Sequence, residues 1–540
     1  MRNKTLLFLL FGCLMCFAVL LCFSADPSTK QGGDSKKQQP SAKIKISKKT
    51  TVIEGPVTKE GYVNYAEALN ERLSKGVTAK NNAAVAIWQA IGPHAPELSR
   101  DVAFRAEFFT RLGIDEPPTE GDYVVSRMET AQQVAAEEGA GDARAIQQQM
   151  DEQLSKVMKQ PWSKEDFPEM AKWVEENEKP LDRIVKGMRR EHFYCPYLAG
   201  EDDMLVAVLL PTAQSCREIA RLLSTRAMYR LNAGDIDDAW EDLQTCHRLG
   251  RHVSKGWTLV ELLVGIAIDS IACQGDVAIA HHASLMTGQA LKFRVDLEKL
   301  PPMTPVAEII DEGERYVFLD SVTHLARNTP GVMEMLGADA DGPGATLTKM
   351  LSKTLIDWNE PMKIGNHWYD RIAEVGRKPT FEERREAYAT FDEEVKKMVT
   401  GARDAKSLAA SIFLGGSPRK AIGRRVGTIL IALLLPAVHM ATDAEIRGHE
   451  LIDLTRMSFA LSAYNSDNGE FPETLDKLAP KYISELPRDY FAPGAYHYER
   501  TVTGYLLYGV GLNGEDDGGK SIFEEESGGD DLVVRFAPTQ

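Results

Sequence analysis

Cysteine is scarce in this chain. Seven cysteines occur in 540 residues, too few for a disulfide scaffold. Three of them (Cys13, Cys16, Cys22) lie within the first 25 residues, which leaves Cys195, Cys216, Cys246 and Cys273. Their spacing fits no zinc pattern, because metal sites need close Cys/His pairs. The four allow three pairings, and buried free thiols are the equal alternative. Positive charge is short as well: 63 basic against 79 acidic residues give a formal charge of -16. Gripping a phosphate backbone takes Lys and Arg, so nucleic acid is not an expected partner. Recognised catalytic motifs are missing too: no His-Glu-x-x-His, phosphate loop or Gly-x-Ser-x-Gly elbow occurs. His247 and His252, five apart, do not share a helix face as a metal pair would. His192 and Cys195 are three apart, and read either as a thiolate-imidazole pair or as a buried thiol beside a surface histidine. With 43% apolar and 26% charged residues the composition is globular. It excludes a polytopic membrane protein, a collagen-like fibre and a wholly disordered chain.

The one long apolar run is at the start. Arg2 and Lys4 precede Leu6 to Leu21, and Phe23-Ser24-Ala25 offers small residues for a cut. Residues 1–25 read as an export signal, cleaved or retained as an anchor. The expected location is therefore periplasm or cell envelope. Residues 26–51 are rich in Lys, Gln, Ser and Gly without an aromatic, and read as a disordered basic linker.

From about Tyr62 to Arg447 the apolar spacing is helical, so the expected fold class is mainly α. Residues 52–160 read as an N-terminal helical region. Tyr65 to Leu73 is an amphipathic helix, Asn81 to Ile91 a second one stopped at Gly92-Pro93, and Ala131 to Val157 a long polar helix. Ser163, with Asp166 three residues on, reads as the cap of the next helix. Residues 161–414 read as a helical-hairpin domain. Ala213–Leu231 and Ile236–Leu249 flank a turn at 232–235. Gly234-Asp235-x-x-x-Ala239-Trp240-x-x-Leu243 resembles the second half of a tetratricopeptide repeat, in which the small Ala packs where two helices cross. Gly337 to Thr346 reads as a surface loop.

Gly256-Trp257-Thr258-Leu259-Val260-Glu261 resembles a type IV prepilin cleavage motif, far from the start of the chain. The alternative is a capped, buried helix. Residues 415–444 carry the apolar stretch Val426 to Met440, flanked by Arg419, Lys420, Arg424 and Arg425. Fifteen residues are short for a bilayer, so this segment is read as either buried or membrane-associated, with Pro436 kinking it.

Residues 445–540 read as a long helix (Glu445 to Tyr464) followed by Gly469-Glu470-Phe471-Pro472, Leu475-x-x-Leu478-x-Pro480 and Leu486-Pro487-Arg488-Asp489. Strand-like runs follow at Ala495–Glu499 and Gly504–Gly511, then a Gly/Asp-rich segment that ends in Asp530-Asp531-Leu532-Val533-Val534. The alternation of Tyr496/Tyr498 and Tyr505/Leu507 fits strands with one buried face, covered by Leu451, Leu454, Phe459 and Leu461 of the helix. Asn513 to Asp531 holds eight acidic residues and one lysine. So many carboxylates repel unless they are solvated or bind a cation, and calcium takes six to eight oxygen ligands. Asp516, Asp517, Asp530 and Asp531 are the candidate metal ligands.

This order of motifs resembles the globular part of the major pseudopilins of type II secretion. The resemblance implies a small C-terminal α+β module, a long helix plus an antiparallel sheet, with a calcium-binding loop. The chain is thus expected to be an exported, non-catalytic scaffold or protein-binding factor whose partners are envelope proteins. The alternatives are an envelope enzyme with its site in the helical body, and a membrane-anchored subunit of a secretion or pilus-like assembly.

Overall fold

The computed structural model describes residues 43–536, apart from 94–97, 99–101, 138, 140, 200–203, 206–210, 330–331, 333–355, 404–416, 435 and 522–527. Residues 1–25, read above as an export signal, most of the segment read as a linker and the stretch 337–346 lie outside the described residues. Helices dominate, and a three-stranded antiparallel sheet closes the C-terminal region. The first helices are α1 (Tyr65–Leu73), α2 (Ala83–Ile91), α3 (Val102–Leu112), α4 (Arg127–Glu137), α5 (Ala143–Val157), α6 (Pro168–Glu176) and α7 (Glu178–Gly187). α1 has the predicted bounds, with Asn64 accepting from the Glu67 amide as its cap. The long polar helix expected over 131–157 is two helices. Gly139 takes φ +81, and Asp142 caps α5 by accepting from the amides of Arg144 and Ala145. Ser163 does not cap a helix. It and Asp166 hydrogen-bond each other in a turn, and the helix starts only at Pro168, whose missing N–H suits the first turn.

The centre is a trio of helices: α8 (Pro211–Asn232), α9 (Ile236–Val253) and α10 (Leu259–Ala280). The turn expected at 232–235 is present, with Gly234 at φ +86. Ala239 is fully buried, as the helix-crossing role requires. Thr258 caps α10 with its side chain while Glu261 reaches back to the Thr258 amide, a complete capping box. The Glu of the prepilin-like motif therefore has a local structural job. It is buried, and it also accepts from the Tyr197 hydroxyl at 2.7 Å. α10 runs on through Asp269 and Asp276 to Ala280. Among the described residues it alone is long and apolar enough to cross a bilayer, and 61% of its apolar window is buried in protein.

Next come α11 (Thr287–Glu298), the short α12 (Val306–Ile309), a π-helical turn (Ile310–Glu314), α13 (Arg315–Arg327), α14 (Asn359–Gly376), α15 (Phe381–Arg403), α16 (Pro418–Leu434) and α17 (Pro436–Asn468). Pro436 does more than kink an apolar helix, since it opens a new one of 33 residues. α16 lies on α14, and Val426, Ile429, Leu430, Ile431 and Val438 are buried. The stretch Val426 to Met440 is therefore packed inside protein over much of its length.

α17 begins nine residues before the predicted start and binds the sheet to the body. Strands β1 (His497–Arg500), β2 (Tyr505–Gly509) and β3 (Leu532–Phe536) pair in that order, with Tyr498 opposite Leu507 and Leu507 opposite Val534. Leu454 and Leu461 are buried and Leu451 is half-buried. Phe459 does not cover the sheet. It meets Trp240 of α9 and Phe293 of α11, with ring centroids at 5.4 and 6.0 Å. One continuous apolar core runs from Ala83 to Val534, so the helical segments and the C-terminal module share an interior. The linker also ends earlier than Thr51. Thr50 and Thr51 are buried, and Asn366 of α14 donates to the Thr50 carbonyl at 2.9 Å.

Candidate cation site

The loop between β2 and β3 is built to bring carboxylates together. Gly518 and Gly519 adopt φ +72 and +71, a left-handed conformation that glycine takes without strain. They turn the chain so that Asp517 returns toward the start of β3. A Cβ at Gly511 would collide with Asp530, so the missing side chain there lets Asp530 sit in the loop. The Gly519 amide donates to Asp531 Oδ2 at 2.8 Å, and the Asp530 amide donates to Asp517 Oδ2 at 3.0 Å. As a result, carboxylate oxygens of Asp517, Asp530 and Asp531 lie within 4.8 Å of one another.

Three of the four predicted ligands meet. Asp516 stands apart: it accepts from the Tyr508 hydroxyl at 3.0 Å and the Gly518 amide at 2.9 Å, with His497 3.5 Å away. The Gly518 amide, then Tyr508 and His497, hold its carboxyl below the usual carboxylate range. Asp531 shifts the other way. Burial raises its pKa, the Gly519 and Asp517 amides pull it back, and the charges of Asp517 and Asp516 add to the rise. Glu524, Glu525 and Glu526 of the acidic run lie outside the described residues.

The donor set suits a hard cation. It is all oxygen, and calcium binds carboxylates and carbonyls. One observation goes beyond the clustering. Asp530 Oδ1 is buried with no hydrogen-bond partner, which costs free energy unless something positive meets it. Its other oxygen accepts from the Asn513 amide at 3.3 Å and faces Arg447 at 3.9 Å. Asp517, Asp530 and Asp531 would hold the ion.

A second polar cluster escaped sequence reasoning. His247 of α9 sits between Asp269 and Asp276 of α10, with Nδ1 2.6 Å from one carboxylate and Nε2 2.8 Å from the other. Arg251 also pairs with Asp269. Burial pulls the imidazole pKa down, but Asp276 and Asp269 outweigh it and lift it to about 9. Cys273 is close enough to suggest a metal set with His247 and Asp276. Both ring nitrogens are already spent on carboxylates, so the cluster is an ion-pair network that locks two helices. The signal was in the spacing. His247 and Arg251 are four apart and Asp269 and Asp276 seven apart, so each pair marks one helix face within an apolar pattern.

Cys195, Cys216, Cys246 and Cys273 are free thiols. Burial pushes the Cys195 thiol up to about 12 and its sulfur meets Thr212, so no thiolate-imidazole pair forms with the surface-side His192. His252 stacks on Phe193 and burial lowers it to about 4. In the body, Asp320, pushed up to about 7 by burial, stands 3.7 Å from His324. The crevice beside them holds about 20 Å³, room for one water. A shallow groove of about 420 Å³ is lined by Lys156, Trp162, Asp166 and Phe167. Comparison with family models, curated proteins and solved structures found no match.

Proposed function

We propose that this chain is an exported cell-envelope protein that acts without catalysis, as a scaffold or protein-binding factor, and that its pseudopilin-like C-terminal region binds calcium. The observation that carries the reading is the buried, unpartnered Asp530 oxygen beside Asp517 and Asp531. A cation there ties the β2–β3 loop to the start of β3. The sheet edge then presents a fixed surface to an envelope partner. Export is supported by the charged start and the apolar run Leu6 to Leu21.

Both halves are tested in one preparation. The full chain is expressed in a double-membraned bacterium, fractionated, and digested briefly with trypsin in calcium or in chelator. The chain is expected in the envelope fraction, with the exposed Lys520 cut slowly in calcium and quickly in chelator. A cytosolic chain would contradict export, and equal cutting at Lys520 would contradict the cation.

A further inference from the structure

The chain is strongly acidic overall, yet one face is basic. Residues 43–50 run along the first turns of α14: the Lys45 amide donates to Asn359 Oδ1 at 2.8 Å, and Asn366 donates to the carbonyls of Lys49 and Thr50. The start of α16 lies at the same end, where the Asp357 amide donates to the Arg419 carbonyl at 3.2 Å. Lys45, Lys48, Lys49, Lys363, Arg419 and Lys420 are all exposed there. Among the described residues the carboxylates beside them include Asp357 and Glu360, and Glu360 is already shared between Lys363 and Arg424. Arg419 and Lys420 also stand in the first turn of α16. A helix N-terminus carries positive partial charge and favours Asp or Glu, so these two side chains work against the fold unless an anion covers them.

We propose that this face docks on an anionic phospholipid surface. Charge complementarity argues for it, since each Lys or Arg near such a surface contributes about 1 kcal/mol, roughly a fivefold gain in binding. The route of the chain argues for it as well. The face begins about twenty residues after the apolar run Leu6 to Leu21, and the segment between adds Lys30, Lys36 and Lys37. About twenty residues of Gly/Ser-rich random coil span about 25 Å, so the sequence separation alone allows the two to meet one surface. If the apolar run stays in a bilayer, it holds the basic face at high effective concentration beside the headgroups. Nucleic acid fits less well, because the formal charge of -16 repels a polyanion that wraps, whereas a flat bilayer meets this face alone. The inference rests on the envelope reading only for where such a surface is met.

The test is co-sedimentation of the purified full chain with vesicles. Neutral phosphatidylcholine vesicles are compared with vesicles containing 30% phosphatidylglycerol, each at low and high salt, and with a duplex DNA oligonucleotide. The apolar run can bind either vesicle, so the readout is the gain due to phosphatidylglycerol. That gain is expected at low salt, to shrink at high salt, and to fall at least about tenfold in Lys45→Gln/Lys48→Gln/Arg419→Gln/Lys420→Gln. A control with the same charge change elsewhere, Lys75→Gln/Lys80→Gln/Lys159→Gln/Lys186→Gln, is expected to keep it, and circular dichroism checks that both variants fold. No gain from phosphatidylglycerol, equal loss in the control, or tighter binding to DNA would overturn the proposal. None of these results depends on export in cells, so failure here is separable from failure of the envelope reading.

Discussion

Glu450 of α17 is a buried carboxyl without a partner, a costly arrangement for an ionisable group. It is fully buried against Gly509 and Tyr496, and neither carboxylate oxygen has a hydrogen-bond partner. Burial, with the charge of Asp489 next, pushes its pKa up to about 9. At neutral pH it is a neutral acid. Unfolded, the same group ionises in the usual carboxylate range, so its stability contribution is present at low pH and is lost as pH rises toward 9. His247 acts in the same direction: raised from 6.5 to about 9, it contributes fully below pH 6.5 and loses that as pH passes 9. Stability is therefore expected to fall between pH 6.5 and 9, by up to about 1.4 kcal/mol per pH unit from Glu450 alone. Urea midpoints at the two pH values measure this, and Glu450→Gln is expected to flatten the slope while His247 retains a share. Identical midpoints in the parent chain would contradict it. Glu450 stands in a stretch predicted as helix, but nothing local marks it as buried, because the groups around it come from β2 and the chain just before β1.

Individual elements were legible where local chemistry sets them. α1 has its predicted bounds because Asn64 and the apolar spacing act within ten residues. The turn at 232–235 is equally local. Where the structure departs from expectation, two local signals compete. Gly139 and Asp142 split the helix expected over 131–157, and Pro168 overrode the Ser163 cap. The prepilin-like motif is accounted for at this scale. Thr258 and Glu261 form a capping box, and Tyr197 donates to Glu261 from outside the helix. Thr258→Ala is expected to cost about 1 kcal/mol, with somewhat more if Glu261 loses its alignment to Tyr197. Chemical denaturation of the variant checks this. A change below about 0.3 kcal/mol would mean that the box adds little to where α10 begins.

At the scale of the whole molecule, the sequence reading divided what the packing joins. Its prediction of a mainly helical chain with a C-terminal antiparallel sheet matches the fold. It puts Phe459 against the sheet, because helical periodicity says which residues share a face but not which neighbour fills it. Phe459 faces Trp240 and Phe293, and His281, the residue that caps the C-terminus of α10, meets the Tyr505 hydroxyl of β2 at 2.7 Å. The acidic loop was legible as a candidate site from its density of Asp and Gly. The separation of Asp516 was not, because it depends on His497 and Tyr508 being brought together by the β1–β2 pairing. Since sheet and body share one core, a cation bound between β2 and β3 is expected to stabilise the entire unit. The direct measurement is isothermal titration of calcium into the full chain, paired with thermal melting in calcium and in chelator. A saturable heat and a higher melting temperature in calcium are expected, about 2.7 kcal/mol of added stability at a hundredfold excess over Kd, both lost in Asp530→Asn/Asp531→Asn. No heat and the same melting temperature at millimolar calcium would contradict it.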